Sequence, residues 1–227
     1  MKSVFLTFCL LWVAGLPAHA EDMNMKNFTS FVLAANKSIY KTDATLARGT
    51  KMLGWRLVDR DNQAIGKVVN MRIDSSTGAI THLIVRPDKS GFQKDYLFDV
   101  AAQNITTEDQ IFMSDLDRGA VFKFQQQYDP SSDTSLSAIG PQLRQPPIWI
   151  RSLISAPLMM GGNRIGTIAD ILGPNNRMGL DRLVLGLTGE RKVVVVPIAA
   201  LMIRNSNGAI SVEINPEHYK IALQSAY

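Results

Sequence analysis

Two aspartates and a glutamine at alternate positions are the first residues in the sequence that could do chemistry. Asp59, Asp61 and Gln63 have the spacing of the first ligands of a calcium-binding loop. Such a loop needs glycine at its sixth position and a bidentate glutamate at its twelfth, where this sequence has Ala64 and Asn70. The pattern therefore favours turn carboxylates over a calcium site.

The histidines do not suggest a catalytic or metal centre. His82 and His218 are the two histidines outside the first twenty residues; they are far apart in sequence, and two are too few for a typical zinc site. His82 precedes an apolar stretch, so we expect it in a strand, partly buried or at an edge. The sequence contains no nucleophile elbow, P-loop or dinucleotide fingerprint. We predict no catalytic, cofactor-binding or metal-binding residues, no cofactor, and no enzymatic activity.

Basic residues late in the chain could bind an anionic surface if folding brought them together. The candidates are Arg177, Arg182, Arg191 and Lys192, and the alternative is that they form an ordinary solvated surface. The formal net charge of +4 is small. Nucleic-acid-binding domains concentrate more positive charge than this, so we expect no nucleic acid partner.

The first twenty residues have the pattern of an export signal. Lys2 precedes an apolar run from Val4 to Leu16, and Ala18 and Ala20 provide a small-x-small cleavage pattern. The run is shorter than the roughly 20 residues of a membrane-spanning helix, although an uncleaved anchor is the alternative. Cleavage after Ala20 would remove the single cysteine, which suits an oxidising compartment. We predict a periplasmic protein.

The rest of the sequence repeats itself with a period near one hundred residues. Residues 53–83 align with 153–183, residues 96–105 with 194–203, and residues 111–113 with 210–212. A period of this length indicates a duplicated domain rather than a solenoid. We expect each copy to have its own core and residues 148–227 to fold alone.

Each copy has the pattern of short strands joined by turns. The alternation predicts one apolar face in the first copy and the same face in the second; the residues are Ile65, Val69, Met71, Ile73, Ile165, Ala169 and Ile171. Apolar residues from Val193 to Val196 predict a strand buried on both faces. Asn207 and Gly208 predict a hairpin.

Two glycines follow the same isoleucine in both copies. Gly66 and Gly166 lie in predicted strands, where glycine marks a bend or a close approach of another backbone. We expect a side chain at either position to collide with that backbone.

The segments outside the two copies are polar or ambiguous. Residues 125–147 are rich in glutamine, serine and proline and are predicted to be a linker. Residues 28–46 have a loose helical pattern and either pack on a barrel or stay disordered. The predicted organisation is a signal peptide at 1–20, an N-terminal extension at 21–49, a first barrel at 50–124, the linker at 125–147 and a second barrel at 148–227.

These residues resemble the PRC-barrel family. The resemblance is carried by residues 53–78, which include Ile65-Gly-Lys-Val68 and Asp74-Ser-Ser-Thr-Gly78, and by the strand with proline at 194–200. Asp99 replaces that proline in the first copy, and Met159 to Asn163 replace the acidic turn in the second. The resemblance implies a six-stranded barrel used for protein association and not for catalysis. The expected fold is mostly β, with two small tandem PRC-type barrels.

Three classes of function follow from these features. The first is a non-enzymatic exported module that binds a protein partner, for example by adding a strand to an open barrel edge. The alternative is a binder of anionic membrane or cell-surface polysaccharide, and the third is a hydrolase, which would need a polar pocket. We expect an unidentified protein partner, a possible homo-oligomer, and at most a peripheral association with membranes.

Overall fold

The computed structural model describes most of the chain between residues 23 and 226. The described residues are 23–42, 46–75, 77–88, 94–117, 119, 121, 127–130, 148–189, 193–206 and 208–226. The predicted signal peptide, residues 131–147 of the predicted linker, and Arg191, Lys192 and Asn207 lie outside them.

The fold is mostly β, as the sequence predicts. Within the described residues the α-helices are α1 (Met25–Thr42), α2 (Gly49–Met52), α3 (Ile150–Leu153) and α4 (Pro216–Ser225), and Ile198–Ala200 form a 3-10 turn. The strands are β1 (Leu46–Arg48), β2 (Arg56–Val58), β3 (Ala64–Ile73), β4 (Ile80–Pro87), β5 (Tyr96–Asp99), β6 (Thr106–Glu108), β7 (Ile111–Met113), β8 (Ile148–Trp149), β9 (Pro157–Met160), β10 (Asn163–Pro174), β11 (Arg182–Leu187), β12 (Val193–Pro197), β13 (Leu201–Ser206) and β14 (Ala209–Ile214).

The strands form two sheets with the same order. The first sheet has the order β5-β4-β3-β2-β7-β6, and the second has β12-β11-β10-β9-β14-β13. Each sheet contains one parallel pair, β2 with β7 and β9 with β14. The two copies inferred from the hundred-residue period therefore have equivalent topologies.

A short segment from each copy crosses to the sheet of the other. β1 pairs with β10 of the second sheet, and β8 pairs with β3 of the first sheet. Each crossing strand continues directly into one helical turn, α2 or α3. We call β1–α2 (residues 46–52) and β8–α3 (residues 148–153) the exchanged segments. The exchange means that each sheet contains a strand from the opposite side of the predicted domain boundary.

Side-chain oxygens from the host sheets hold the exchanged segments by binding their helical turns. The carboxylate of Asp170 in β10 accepts hydrogen bonds from the Thr50 backbone N–H at 3.2 Å and from its hydroxyl at 2.8 Å. At the equivalent place in β3, the Asn70 amide oxygen accepts from the Arg151 N–H at 3.3 Å. These contacts satisfy N–H groups that a helix start leaves without intrahelical partners.

The two sheets also meet at a glycine-rich junction. Ala79 forms an antiparallel bridge with Gly179, and the Leu180 N–H donates to the Gly78 carbonyl at 2.8 Å. A Cβ at Gly78 would lie 2.0 Å from the Leu180 oxygen, and Gly78 has φ of +73°. Only glycine allows both the dihedral and the close approach.

One hydrophobic core runs through both sheets. It contains Phe98 and Phe112 of the first sheet, Leu158 and Val212 of the second, and Ile150 of an exchanged segment, all fully buried. The prediction that each copy has its own core is therefore wrong, because the buried residues of both sheets form one cluster. A shared core weighs against independent folding of residues 148–227, because that fragment lacks the surface that buries its own apolar residues.

The predicted face alternation in β3 and β10 is wrong at the middle of each strand, at Val69 and Ala169, whereas Met71, Ile73 and Ile171 are buried as predicted. Val68 and Ile168 are buried, whereas Val69 is half-buried and Ala169 is exposed. The register shifts between Val68 and Asn70 and again between residues 168 and 170. A β-bulge adds one residue and reverses the inward-facing set, which a strict period of two does not anticipate.

The N-terminal helix packs on the second sheet, which settles the alternative left open by its sequence. Ala35 of α1 joins a cluster on the outer face of that sheet with Leu172, Val184 and Val195. Val194 and Val196 face the main core. The strand β12 is therefore buried on both faces, as its continuous apolar run predicts. The β13–β14 hairpin is also confirmed, with Ser206 opposite Ala209.

The close backbone approach expected at Gly66 and Gly166 is confirmed. A Cβ at Gly66 would lie 2.2 Å from the Arg86 carbonyl oxygen, and one at Gly166 would lie 2.3 Å from that of Gly186. The colliding atoms belong to the neighbouring strand's backbone, so the strands themselves would have to move.

Replacing Gly166 with alanine should destabilise the fold. We expect Gly166→Ala to lower the free energy of unfolding by about 1–3 kcal/mol through strain and overpacking, measured by denaturant titration. Gly186→Ala is the matched control, because its Cβ would meet no atom closer than 3.6 Å. Equal losses in the two variants would contradict the backbone-collision explanation.

Cleaving the predicted linker should not separate the two halves. In the protein comprising residues 21–227, a protease site introduced between residues 131 and 147 allows one cut after folding. Since the exchanged segments and the shared core hold the halves together, we expect the cut protein to elute as one species and to unfold in one transition. Two separate species, or two independent transitions, would contradict the cooperative arrangement.

Candidate interaction surface

The carboxylate pair at Asp59 and Asp61 forms a turn, as expected. Asp59 is buried, and its Oδ1 accepts hydrogen bonds from the backbone N–H groups of Asp61 at 3.0 Å and Gln63 at 2.7 Å. The carboxylate is thus used by its own loop. Within the described residues, no three His, Cys, Asp or Glu side chains come together in a way that could hold a metal ion.

The two histidines of the described residues lie in different surroundings. His82 is half-buried in β4, with its Nε2 3.8 Å from the Asp99 carboxylate, in agreement with the predicted strand position. His218 of α4 is 5% exposed and stacks on Phe28 of α1, with ring centroids 4.1 Å apart. Burial lowers the pKa of His218, and the backbone carbonyls of Ala200 and Met23 oppose that shift. This histidine joins two helices and has no catalytic neighbour in the described structure.

The basic residues suggested by the sequence do not form one patch in the described structure. Arg182 lies 3.2 Å from the Asp181 carboxylate, and its guanidinium carbon is 5.4 Å from the centre of the Phe31 ring. Arg177 is exposed in a turn. Arg191 and Lys192 are outside the described residues, so their part of the hypothesis stays a prediction.

The edge of the second sheet at β12 is covered by the chain itself. The Val195 N–H donates to the Asn36 side-chain oxygen at 3.0 Å, and the Asn36 amide nitrogen donates to the Val195 carbonyl at 3.3 Å. This buried amide therefore takes the place of a neighbouring strand. Covering of this kind prevents another chain from pairing with the edge.

The corresponding edge of the first sheet is also paired. Tyr96 of β5 forms an antiparallel bridge with Gln127, and the Tyr128 N–H donates to the Asp95 carbonyl at 2.8 Å. Strand addition at β5 or β12 would have to displace these contacts, whereas β6 and β13 end the two sheets on the opposite side. The outer faces of the sheets offer further surface to a partner, through side chains rather than through backbone pairing.

Three cations lie side by side across the outer face of the first sheet. Arg56 of β2 is directly opposite Lys67 of β3, and Lys67 is directly opposite Arg86 of β4. All three side chains are exposed, and directly opposed residues have Cβ atoms about 5 Å apart. We call Arg56, Lys67 and Arg86 the cationic row.

The charge of the cationic row is only partly neutralised. Arg86 forms a two-point ion pair with Asp95, at 2.9 and 3.0 Å, and hydrogen bonding to Asp95 raises the pKa of Arg86. No carboxylate of the described residues forms an ion pair with Arg56 or Lys67. On the other side of Arg56, the directly opposite residue is Ile111 of β7, and the residue of β6 opposite Ile111 is the acidic Glu108. Positive charge is therefore concentrated at the two central strands.

The equivalent positions of the second sheet are neutral. Thr167 of β10 is opposite Pro157 on one side and Gly186 on the other. The two sheets thus share a backbone arrangement and differ in charge at this place. The cationic row is a property of the first sheet and not of the fold.

Sequence reasoning missed the cationic row because its members are distant along the chain. Local inspection groups neighbours such as Arg191 and Lys192, whereas Arg56, Lys67 and Arg86 meet only through strand register. The register of the three strands at Gly66 contains the missing information. With Gly66 opposite Leu57 and Pro87, Lys67 must lie between Arg56 and Arg86.

Replacing the central lysine with an acid should stabilise the protein. In Lys67→Glu the side chain between Arg56 and Arg86 becomes negative, so two repulsive interactions become attractive. We expect the free energy of unfolding to rise by about 0.2–1 kcal/mol. Thr167→Glu is the matched control, since its neighbours are neutral and no gain is expected. A stability loss on Lys67→Glu, measured by denaturant titration at low salt, would contradict the stated electrostatics.

In a comparison with known protein families, the first sheet and the residues next to it match one family. The model of the PRC-barrel domain family matches residues 45–121, which extend from β1 to beyond β7. PRC barrels are in general non-catalytic domains. No curated protein matches the chain. Among the described residues, no helix has both the length and the hydropathy to cross a membrane. The second sheet repeats the strand order of the first. The chain therefore contains a PRC-barrel domain at residues 45–121.

Proposed function

We propose that this is an exported periplasmic protein without catalytic turnover, which acts by binding a protein partner. The observation that carries the proposal is the exposed cationic row on the sheet that matches the PRC-barrel family. Two of its cations have no ion-pair partner among the described residues. An exposed group of like charges in a non-catalytic fold is better suited to recognition than to chemistry.

The exchanged segments change how the two copies would contribute to binding. Two barrels on a loose linker would raise affinity through effective concentration. The shared core and the two crossing strands instead join the sheets into one body. We propose a single binding unit with two chemically different outer faces, rather than two independent modules.

The alternative function is binding to anionic membrane or cell-surface polysaccharide. The cationic row favours this class as well, since phosphate and sulfate groups also bind Arg and Lys. Such binding would depend steeply on salt. An interface that includes apolar contacts would retain affinity at moderate salt.

A pull-down with the intact mature chain tests the proposal. Immobilised residues 21–227 should retain a specific periplasmic protein at low and moderate salt, and the purified pair should form a saturable complex. The chain purified from the periplasm should begin at Glu21. Single-sheet fragments are unsuitable as controls because both sheets share one core, so the control is unfolded protein on the same support. Retention only by anionic lipid or polysaccharide would favour the alternative, and a turnover abolished by one side-chain change would contradict the absence of catalysis.

A further inference from the structure

We infer that the cationic row is the surface that recognises the partner, and that the partner contributes an acidic, partly apolar protein segment. The inference rests on the proposed function and adds the site and the chemistry of recognition.

The charge of the row is not explained by folding. Like charges directly opposite each other on neighbouring strands destabilise a sheet. Two other exposed arginines have acidic partners: Arg60 lies 3.1 Å from Asp117, and Arg204 lies 2.8 Å from Glu213. The exposed Arg177, which has no charged strand neighbour, forms no ion pair with the described residues. Arg56 and Lys67 form no such pair with the described residues. Binding of carboxylates would remove a repulsion that the isolated protein retains.

Apolar side chains beside the row favour a protein segment over other anions. Ile111 is directly next to Arg56, and Met113 follows on the same outward side of β7; both are half-buried. Polysaccharides and lipid headgroups would leave these side chains without apolar contacts. An extended protein segment can place carboxylates over the row and apolar side chains over Ile111 and Met113.

The spacing of the row also suits an extended acidic segment. Neighbouring strands lie about 5 Å apart, and alternate residues of an extended chain project to one side about 7 Å apart. The flexible side chains of Arg56 and Lys67 can span that difference. In the second sheet Pro157, Thr167 and Gly186 occupy the same positions, so we expect only the first sheet to bind.

The probe is a short fluorescent peptide in which Glu and Val alternate, and a peptide with Gln in place of Glu is its control. Binding to the full mature chain is followed by fluorescence anisotropy at low and moderate salt. We expect Lys67→Glu to weaken binding of the Glu–Val peptide by about 10-fold. Arg56→Gln should weaken it in the same direction.

Lys220→Glu is the matched control variant. Lys220 is exposed on α4, and its substitution changes the net charge as Lys67→Glu does. We expect less than about a 2-fold change for Lys220→Glu, since screening limits distant charges. Equal losses for Lys67→Glu and Lys220→Glu would overturn the inference, because the effect would then come from net charge alone. Denaturant midpoints of the variants separate lost binding from lost folding.

Two further outcomes would overturn the inference. The first is unchanged peptide binding by both Lys67→Glu and Arg56→Gln. The second is no binding of the Glu–Val peptide by the unmodified chain, together with row-dependent binding to phosphatidylglycerol vesicles or to a sulfated polysaccharide. If a partner recovered from the periplasm binds Lys67→Glu as tightly as the unmodified chain, the inference fails while the proposed function stands. If no protein partner exists, the proposed function itself fails.

Discussion

The reciprocal crossing of the exchanged segments is the constraint on which the rest of the structure depends. β1 completes the second sheet and β8 completes the first, so neither sheet has all its strands without residues from the other side of the linker. Asp170 and Asn70 then bind the helical turns that follow, with hydrogen bonds to Thr50 and Arg151. These contacts and the shared core hold both sheets together, so the outer face that carries the cationic row depends on both halves of the chain.

Contacts made by the chain itself also determine which sheet edges can pair with another protein. Sheet edges are sites of unwanted pairing, and proteins cover them or shorten them. Here the Asn36 amide binds both backbone groups of Val195 at β12, and the segment at Gln127 pairs with β5. The chain thus keeps its own residues at two of the four terminal strands, β5 and β12. Recognition is consequently expected on side-chain chemistry across a face, and not on backbone pairing at these edges.

Local patterns in the sequence predicted the elements well and their tertiary arrangement less well. The hundred-residue period indicated two equivalent copies, and the paired glycines at 66 and 166 indicated the backbone approaches that the structure contains. The bulges at Val69 and Ala169 were missed because one inserted residue reverses a period of two. The exchange was missed for a different reason: a strand of two or three residues such as β8 has no local feature that states which sheet it joins. The cationic row depends on the register between β2, β3 and β4, which no single segment encodes.

Comparison of equivalent positions in the two sheets separates what the fold requires from what it leaves free. Position 70 in β3 and position 170 in β10 hold Asn and Asp, two residues that offer the same side-chain oxygen to a backbone N–H of the exchanged helical turn. The fold needs an acceptor there in both copies, and both copies have one. Three residues earlier, on the outer face, the first sheet has Lys67 between two arginines and the second has Thr167 between proline and glycine. The neutral version shows that the backbone does not need the charges, and the charged version carries an electrostatic cost. Arg86 is paired with Asp95, whereas Arg56 and Lys67 form no ion pair within the described chain. Under our proposal an external anion would offset the cost of these two charges, and the apolar residues beside them favour a protein segment as its source.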